Sequence, residues 1–245
     1  MTSQNTLMGG AVRLAQAQSG HRSGIEPVLL AAIVPARPGQ RILEGGTGAG
    51  AGLLCLARRI SGISGVGIEL DPTAAALARA NFDLNDANGL SVLEGDLALV
   101  SPEGAFDHAM ANPPWHNPAA TQSPDASRAL ARHARPGLMA TWARNLAQGL
   151  RHRGTLSFIT GAGTLSECLA AFTEAGCGSH VVMPLWPRLG REAKLVLLQG
   201  VRGGRGPTRM HPGLVLHDQA GAYTEAADAV LRGGAMLSTD RTHPC

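Results

Sequence analysis

The chain has 245 residues, 44% of them hydrophobic and 16% charged, which suffices for one sizeable globular domain and excludes a generally disordered chain. The formal net charge of +3 is compatible with a polyanionic partner but does not by itself indicate one. No apolar run approaches the roughly 18 to 20 residues of a membrane span. Residues 1–10 lack the basic and apolar regions of a secretory signal, so we expect a cytoplasmic protein with no membrane partner.

Predicted strands and helices alternate from about residue 28 to residue 200, and this alternation predicts a parallel sheet covered by helices on both faces. We predict strands over residues 41–44, 65–70, 90–93, 106–110 and 154–160. We predict helices over residues 26–34, 50–59, 73–85, 139–150 and 165–175. Pro72 suits the first turn of the third of these helices, where its missing N–H has no partner to lose. The first helix is expected to pack at the mouth of the sheet and help close a ligand site.

The last part of the predicted sheet is an antiparallel hairpin. Residues 181–185 and 193–201 are apolar and are separated by a short polar turn, so we expect them to pair at the sheet edge. A strand over 213–217 and a helix over 223–231 are expected to follow. Residues 115–135 and 202–212 are predicted loops.

The predicted fold class is therefore α/β, Rossmann-like, with a mostly parallel seven-stranded sheet, a C-terminal antiparallel hairpin and helices on both faces. We expect three parts in the chain. Residues 1–38 form an N-terminal cap or substrate segment, residues 39–201 form the core, and residues 202–245 form a C-terminal extension with a loop, a strand and a helix.

The four cysteines, at positions 55, 168, 177 and 245, form no C-x-x-C pair and no regular spacing with histidines. This pattern favours ordinary thiols over a disulfide framework or a zinc site. We therefore predict no bound metal.

A glycine-rich stretch follows the first core strand, at the position where α/β sheets bind nucleotides. It has the pattern acid-x-G-x-G-x-G, with Glu44 ahead of Gly46, Gly48 and Gly50. Ending instead on Ala51, the same stretch satisfies the dinucleotide fingerprint, so an NAD-binding oxidoreductase or a non-catalytic nucleotide-binding module remains an alternative. A carboxylate at the strand end would repel a pyrophosphate and suits a cationic ligand. This favours S-adenosylmethionine, which carries a sulfonium and an ammonium group.

The next two strand ends each carry an acid. Glu69 ends the second core strand, where a carboxylate can accept both hydroxyls of a ribose. Asp96 follows the third strand and is expected to accept a hydrogen bond from an adenine amine, while Leu97 packs on the ring. A solvated strand end for Glu69 and a turn-forming role for Asp96 remain alternatives.

The tetrapeptide Asn112, Pro113, Pro114 and Trp115 follows the fourth core strand, on the same sheet edge as the glycine stretch. Each proline restricts its own φ and the conformation of the residue before it, so this backbone is rigid. We expect the Asn112 side-chain oxygen and the Pro113 carbonyl to accept both N–H groups of a planar exocyclic amine, which localises the nitrogen lone pair for methyl transfer. Trp115 would stack on the target ring. Taken alone, the tetrapeptide also fits a rigid turn with a buried tryptophan.

With these motifs the chain resembles the bacterial tRNA adenine-N6 methyltransferases that act on the adenosine beside the valine-tRNA anticodon. Similarity specific to that family lies in residues 21–30, 214–218 and 221–224. The resemblance implies a class I methyltransferase fold, S-adenosylmethionine as cofactor and S-adenosylhomocysteine as product. It also implies that Asn112 and the Pro113 carbonyl position the amine, and that the cofactor is contacted by Glu44, Gly46, Gly48, Glu69 and Asp96.

The chain departs from the family pattern at two places. Trp115 stands where tyrosine or phenylalanine is usual, which bears on the shape of the base pocket. Gly45, Gly46 and Thr47 replace a more typical apolar residue, glycine and cysteine.

The expected substrate is adenine N6 in tRNA, so an RNA partner is predicted. Glutamine N5 in a protein and guanine N2 or adenine N6 in rRNA are alternatives, because the same Asn-Pro-Pro-aromatic chemistry serves these nitrogens. Three basic clusters are candidates for phosphate contacts, and a solvated surface is the alternative for each. They comprise Arg128, Arg132, His133 and Arg135, then Arg151 and Arg153, and finally Arg202, Arg205 and Arg209.

Overall fold

The computed structural model describes residues 2–17, 24–100, 105–114 and 137–239. The chain begins with an antiparallel hairpin that the sequence analysis did not predict, formed by β1 (Thr2–Leu7) and β2 (Val12–Ala17). Its tip is a short 3-10 turn, Met8–Gly10. Val12 and Leu14 of β2 are buried and alternate with more exposed residues. This period of two, together with the Gly9-Gly10 turn, was the available sequence signal for the hairpin.

A mostly parallel sheet forms the centre of the protein and confirms the predicted fold class. Its seven longer strands are β3 (Arg41–Gly45), β4 (Ser64–Glu69), β5 (Leu90–Glu94), β6 (Phe106–Ala111), β7 (Leu150–Gly161), β8 (Cys177–Arg188) and β9 (Leu195–Arg202). Their order across the sheet is β5–β4–β3–β6–β7–β9–β8. Among the described residues, β9 alone runs antiparallel to its neighbours in this sheet.

The predicted hairpin of β8 and β9 is confirmed and forms one edge of the seven longer strands, although two short strands add to its outer side. β9 lies between β7 and β8. Two short strands, β10 (Arg209–Met210) and β11 (Leu214–His217), pair in parallel with the other side of β8. β10 lies inside the predicted 202–212 loop. β8 is longer than predicted because it continues through a register shift between Gly178 and Val181, where Ser179 has a φ of 53°.

Six helices cover the sheet in the described part of the chain. They are α1 (Glu26–Ile33), α2 (Ala51–Arg59), α3 (Pro72–Leu84), α4 (Leu138–Gly149), α5 (Leu165–Glu174) and α6 (Glu225–Leu231). α3 begins as predicted, with Pro72 in its first turn and the Asp71 side chain accepting a hydrogen bond from the Thr73 N–H at 2.8 Å. Thr224 caps α6 in the same way. Over the described ranges, no helix is both long enough and apolar enough to cross a membrane.

Two apolar cores lie on opposite faces of the sheet. One is formed by α1, α2, α3, α6 and the N-terminal hairpin, and the other by α4 and α5. Cys55, Cys168 and Cys177 are free thiols buried in these cores. Burial raises the pKa of Cys168 and of Cys177 to about 11, so both thiols stay protonated at neutral pH. Cys245 lies outside the described residues.

Candidate active site

The register of the parallel strands brings the sequence motifs to one edge of the sheet. Gly45, the last residue of β3, pairs with Ala111 of β6 on one side and with Ile68 of β4 on the other. Glu69 of β4 in turn pairs with Glu94 of β5. Because neighbouring strands lie about 5 Å apart, the residues that leave these four strands form one continuous rim.

The three glycines of the motif have left-handed backbone conformations, with φ of 64° at Gly46, 56° at Gly48 and 85° at Gly50. Their surroundings differ. A Cβ atom on Gly46 would lie 2.7 Å from the Trp142 ring, and one on Gly50 would lie 2.5 Å from the Phe82 ring. A Cβ atom on Gly48 would meet no atom of the described residues within 4 Å. Of the three, Gly48 therefore leaves room for a ligand, whereas Gly46 and Gly50 make room for neighbouring side chains.

The Glu44 carboxyl group lies beneath the glycine stretch and is only 5% exposed. Its Oε2 accepts a hydrogen bond from the Thr47 hydroxyl at 2.5 Å and one from the Leu53 N–H in α2 at 3.3 Å. Burial raises the pKa of Glu44 to about 8, although these two hydrogen bonds act in the opposite direction. The group is therefore largely protonated at neutral pH in this conformation.

Thr47 is a site residue to which the sequence analysis gave no role. Besides its hydrogen bond to Glu44, Thr47 packs directly against Gly67 of β4. A Cβ atom on Gly67 would lie only 2.5 Å from Thr47 Cγ2, so a larger residue at position 67 would clash with it. A Cβ atom on Gly52 would lie 2.0 Å from Glu44 Oε1. The small residues around Glu44 thus allow the strand, the loop and α2 to pack closely together.

The Glu69 carboxylate spans the loops that follow β3 and β4. Its Oε2 accepts the Gly48 N–H at 2.8 Å and its Oε1 accepts the Asp71 N–H at 2.9 Å. This places the carboxylate directly beside the open space at Gly48. Leu70, the next residue, is 51% exposed and offers apolar surface at the same rim.

The third strand end is occupied by Asp96 and Leu97. The Asp96 side chain accepts the Ala98 N–H at 2.8 Å, which is the turn-forming role kept as an alternative above. Leu97 is buried, and its Cδ2 packs against Gly45. A Cβ atom on Gly45 would lie only 2.7 Å from Leu97 Cδ2. In this conformation Leu97 is therefore a core side chain below the rim.

Asn112 and the prolines leave β6 next to the start of the glycine stretch. Asn112 follows Ala111, the register partner of Gly45, and its side chain is half-buried. Pro113 is buried and Pro114 half-buried, and neither belongs to a regular element. Trp115 and the cluster of Arg128, Arg132, His133 and Arg135 lie outside the described residues.

Helix α4 contributes a second set of residues to which the sequence analysis gave no role. Trp142, Asn145 and Leu146 share one face of α4, as spacings of three and four residues require. Trp142 covers Gly46, and Leu146 Cδ1 would lie 3.2 Å from a Cβ atom on Gly45. The Asn145 side-chain amide donates to the Leu97 carbonyl at 2.6 Å. The helical period identified α4 as packed on the sheet, but it could not show that this face reaches the ends of β3 and β5.

Of the other predicted basic clusters, Arg151 and Arg202 lie at the strand ends opposite the rim. Arg209 lies at the register level of Met110, but on the far side of the sheet beyond β8. Arg151 lies at the beginning of β7 and pairs with Asp107 at 2.6 Å, while Arg202 at the end of β9 donates to the carbonyls of Ala147 and Gln148 in the last turn of α4. Arg209 donates to the Thr239 carbonyl at 2.8 Å. These three arginines therefore have structural partners. Asp107, the partner of Arg151, precedes Asn112 by five residues along β6, which is about 17 Å at about 3.3 Å per residue.

The rim fits S-adenosylmethionine on three observations. The space at Gly48 admits a ligand against the backbone, Glu69 presents carboxylate oxygens there, and Leu70 offers exposed apolar surface. Gly48 and Glu69 are the residues that would hold the ribose end of the cofactor, since carboxylate oxygens accept hydroxyl hydrogens. Among the described residues, no three His, Cys, Asp or Glu side chains form a group that could hold a metal ion.

Comparison with known proteins shows the family. The family described as Methyltransferase small domain matches residues 24–141. A tRNA1(Val) (adenine(37)-N6)-methyltransferase from Aeromonas hydrophila is 30% identical over 210 residues, which cover 82% of this chain and 85% of the relative. The protein of the same name from Vibrio campbellii is 30% identical over 143 residues, 58% of this chain and 59% of that relative.

Among solved structures, a protein from Agrobacterium tumefaciens described as a predicted O-methyltransferase superposes with a TM-score of 0.73 and 25% identity, covering 86% of this chain and 98% of its own. The fold and the sequence therefore agree on the class of enzyme, and S-adenosylmethionine rather than NAD is the cofactor. The chain belongs to the S-adenosylmethionine-dependent methyltransferases, in the family of the bacterial tRNA adenine-N6 methyltransferases.

Proposed function

We propose that this protein methylates the exocyclic N6 of an adenine in tRNA. The observation that carries the proposal is the position of Asn112, which follows the register partner of Gly45 and so stands beside the glycine stretch. The names of the Aeromonas and Vibrio relatives support adenine 37 of a valine tRNA as the first substrate to test. A single-stranded loop suits such a reaction, because an adenine in it can leave the stack at low cost.

Methyl transfer requires the planar exocyclic amine to become more tetrahedral. The N6 lone pair of adenine is delocalised into the ring and is poorly nucleophilic. The Asn112 side-chain oxygen and the Pro113 carbonyl would each accept one N–H, which favours a tetrahedral nitrogen with its lone pair free. Pro113 and Pro114 keep these acceptors in place by restricting the backbone, and Trp115 would stack on the base. S-adenosylmethionine would supply the methyl group from its sulfonium and leave as the neutral S-adenosylhomocysteine, and the methylated nitrogen would release one of its two protons to solvent.

The remaining site residues have supporting roles in this proposal. Glu69 and Asp96 would hold the nucleoside part of the cofactor, with Leu97 below it. Gly46, Gly48 and Gly50 would form its cradle, and Glu44 would shape the loop from beneath. Residues 39–201 would be the catalytic core, residues 1–38 a cap and residues 202–245 an extension.

The test uses the purified chain, S-adenosylmethionine labelled in its methyl group, and three acceptors: total tRNA, total rRNA and total protein. We expect label in N6-methyladenosine of tRNA. A valine-tRNA transcript should also accept label, and replacing its adenine 37 by guanine should abolish this labelling. The matched control is Asn112→Ala, which should abolish transfer while the calorimetric Kd for S-adenosylmethionine changes less than about threefold. Label in methylated glutamine, in rRNA or in N2-methylguanosine would overturn the proposal and identify the substrate instead.

A further inference from the structure

We propose that Trp142 is a wall of the cofactor site and that its indole favours the sulfonium cofactor over the neutral product. The inference rests on the S-adenosylmethionine dependence of the family and is independent of the RNA substrate. A failed RNA assay would leave it standing.

The position of the ring is the first observation. The three ring atoms nearest to a Cβ atom built on Gly46 are Cη2, Cζ3 and Cζ2 of Trp142, at 2.7, 3.2 and 3.8 Å. All three belong to the six-membered ring, so the distal edge of the indole touches the first glycine of the motif. The open space at Gly48 begins two residues further along the same loop. The indole packs on Gly46 and has no atom within 4 Å of a Cβ atom on Gly48, so it leaves that space open.

The second observation is that the ring is held in place. Its helix, α4, is anchored to the rim by the Asn145 amide, which donates to the Leu97 carbonyl at 2.6 Å, and by Leu146 against Gly45. Ala143 and Leu146 on the same helix are fully buried. A large side chain on so fixed a helix offers a preorganised surface, which costs little entropy when a ligand binds.

The third observation is that Trp142 is only half-buried, whereas Met139, Ala143 and Leu146 of the same helix are in the core. The indole thus keeps accessible surface at the edge of the site. An aromatic face carries negative charge density and attracts a cation, and tryptophan does so most strongly. S-adenosylmethionine has a positively charged sulfur and S-adenosylhomocysteine has a neutral one. Such a wall would bind the reactant more tightly and ease release of the product.

The first experiment measures tryptophan fluorescence in two variants, each of which keeps a single tryptophan, either Trp142 or Trp186. Trp115→Phe combined with Trp186→Phe leaves Trp142 as the emitter. The matched control, Trp115→Phe with Trp142→Phe, leaves Trp186, which donates to the Pro212 carbonyl on the β8 side of the sheet. We expect a saturable emission change with S-adenosylmethionine in the first protein and none in the second. An unchanged Trp142 emission would overturn the inference.

The second experiment measures Kd by calorimetry for S-adenosylmethionine and S-adenosylhomocysteine with Trp142→Leu, Trp142→Phe and, as control, Trp186→Leu. We expect Trp142→Leu to weaken binding of the sulfonium compound roughly three- to thirtyfold and of the homocysteine compound less than about twofold. The Kd of Trp142→Phe for S-adenosylmethionine should lie between those of the wild type and Trp142→Leu, because phenylalanine keeps an aromatic face. This variant replaces Trp142→Leu in the test if the leucine protein is too unstable for calorimetry. Equal weakening of both ligands would overturn the inference, because a packing role predicts no discrimination by charge.

Discussion

The side-chain amide of Asn81 in α3 donates a hydrogen bond to the carbonyl oxygen of Ala49 in the glycine stretch, at 2.9 Å. The same amide donates to the Ala15 carbonyl at 2.9 Å, and Asn81 Oδ1 accepts the Ala15 N–H at 2.8 Å. Asn81 is completely buried. One side chain therefore ties the N-terminal hairpin and the cofactor loop to the same helix.

We predict that Asn81→Ala destabilises the protein by about 1 to 3 kcal/mol, because buried backbone groups lose their partners. It should also weaken S-adenosylmethionine binding, since Ala49 belongs to the cofactor loop. Urea unfolding and calorimetry measure the two effects. The control is Asn85→Ala, which loses bonds to the Arg13 backbone at an exposed site. Equal losses from the two variants would contradict the role given to Asn81.

Gly48→Ala and Gly50→Ala should separate ligand binding from folding. Both residues have positive φ, which costs an L-residue roughly 1 to 2 kcal/mol. At Gly48 the added methyl enters open space, so we expect a cofactor Kd raised at least about tenfold with only this folding cost. At Gly50 it meets the Phe82 ring at 2.5 Å, which should add about 1 to 3 kcal/mol of destabilisation. A Gly48→Ala protein with normal cofactor affinity would show that the ligand does not use this space.

The buried Glu44 predicts a loss of stability as pH rises from 4.5 to about 8. Burial raises its folded-state pKa from 4.5 to about 8, so between these values the unfolded chain ionises while the folded chain keeps its proton. Unfolding then releases a proton, and the free energy of unfolding must fall as pH rises through this window. Glu44→Gln should remove that part of the decline. Urea unfolding at pH 5, 6.5 and 8.5 checks it, and parallel pH profiles for the two proteins would count against it.

His108 predicts the opposite behaviour on the acid side. Its ring nitrogens lie 2.8 Å from Thr155 Oγ1 and 3.0 Å from Gln40 Oε1, and burial lowers its pKa from 6.5 to about 4. Its contribution to stability is complete above pH 6.5 and is lost as pH falls toward 4, because the unfolded chain takes up a proton first. His108→Gln should flatten the profile between pH 6.5 and 4 relative to the wild type. An unchanged slope would mean that other groups govern acid unfolding.

Much of the fold follows from local sequence patterns. The apolar periodicity, Pro72 and the glycines were sufficient to locate the core elements, because each signal arises within a few residues. The order β7–β9–β8 could not be predicted in this way, since either strand of an apolar hairpin can pair with the rest of the sheet. The N-terminal hairpin was missed because β1 is polar up to its last residue, Leu7, and shows no alternation of apolar and polar residues.

For the site, the sequence indicated which residues reach the rim but not how they are oriented. Glu44 was expected to meet a cationic ligand, and its carboxyl group instead turns under the loop to Thr47 and Leu53. Trp142 gave no local signal, because its contact with Gly46 depends on how α4 crosses the sheet. Such contacts between residues far apart in the chain follow from packing rather than from a motif.

The place of β9 between β7 and β8 also bears on the order in which the protein can assemble. Residues 195–202 leave the ribosome after both of their neighbouring strands. Until then, β7 and β8 each present an unpaired row of backbone groups in what becomes the interior of the sheet. A nascent chain that ends before β9 therefore carries two unpaired strand edges. Once β9 is made, its pairing with β8 is local, whereas its pairing with β7 joins distant parts of the chain and is slower. The seven longer strands are therefore joined into one sheet late, by the last of the seven to be synthesised.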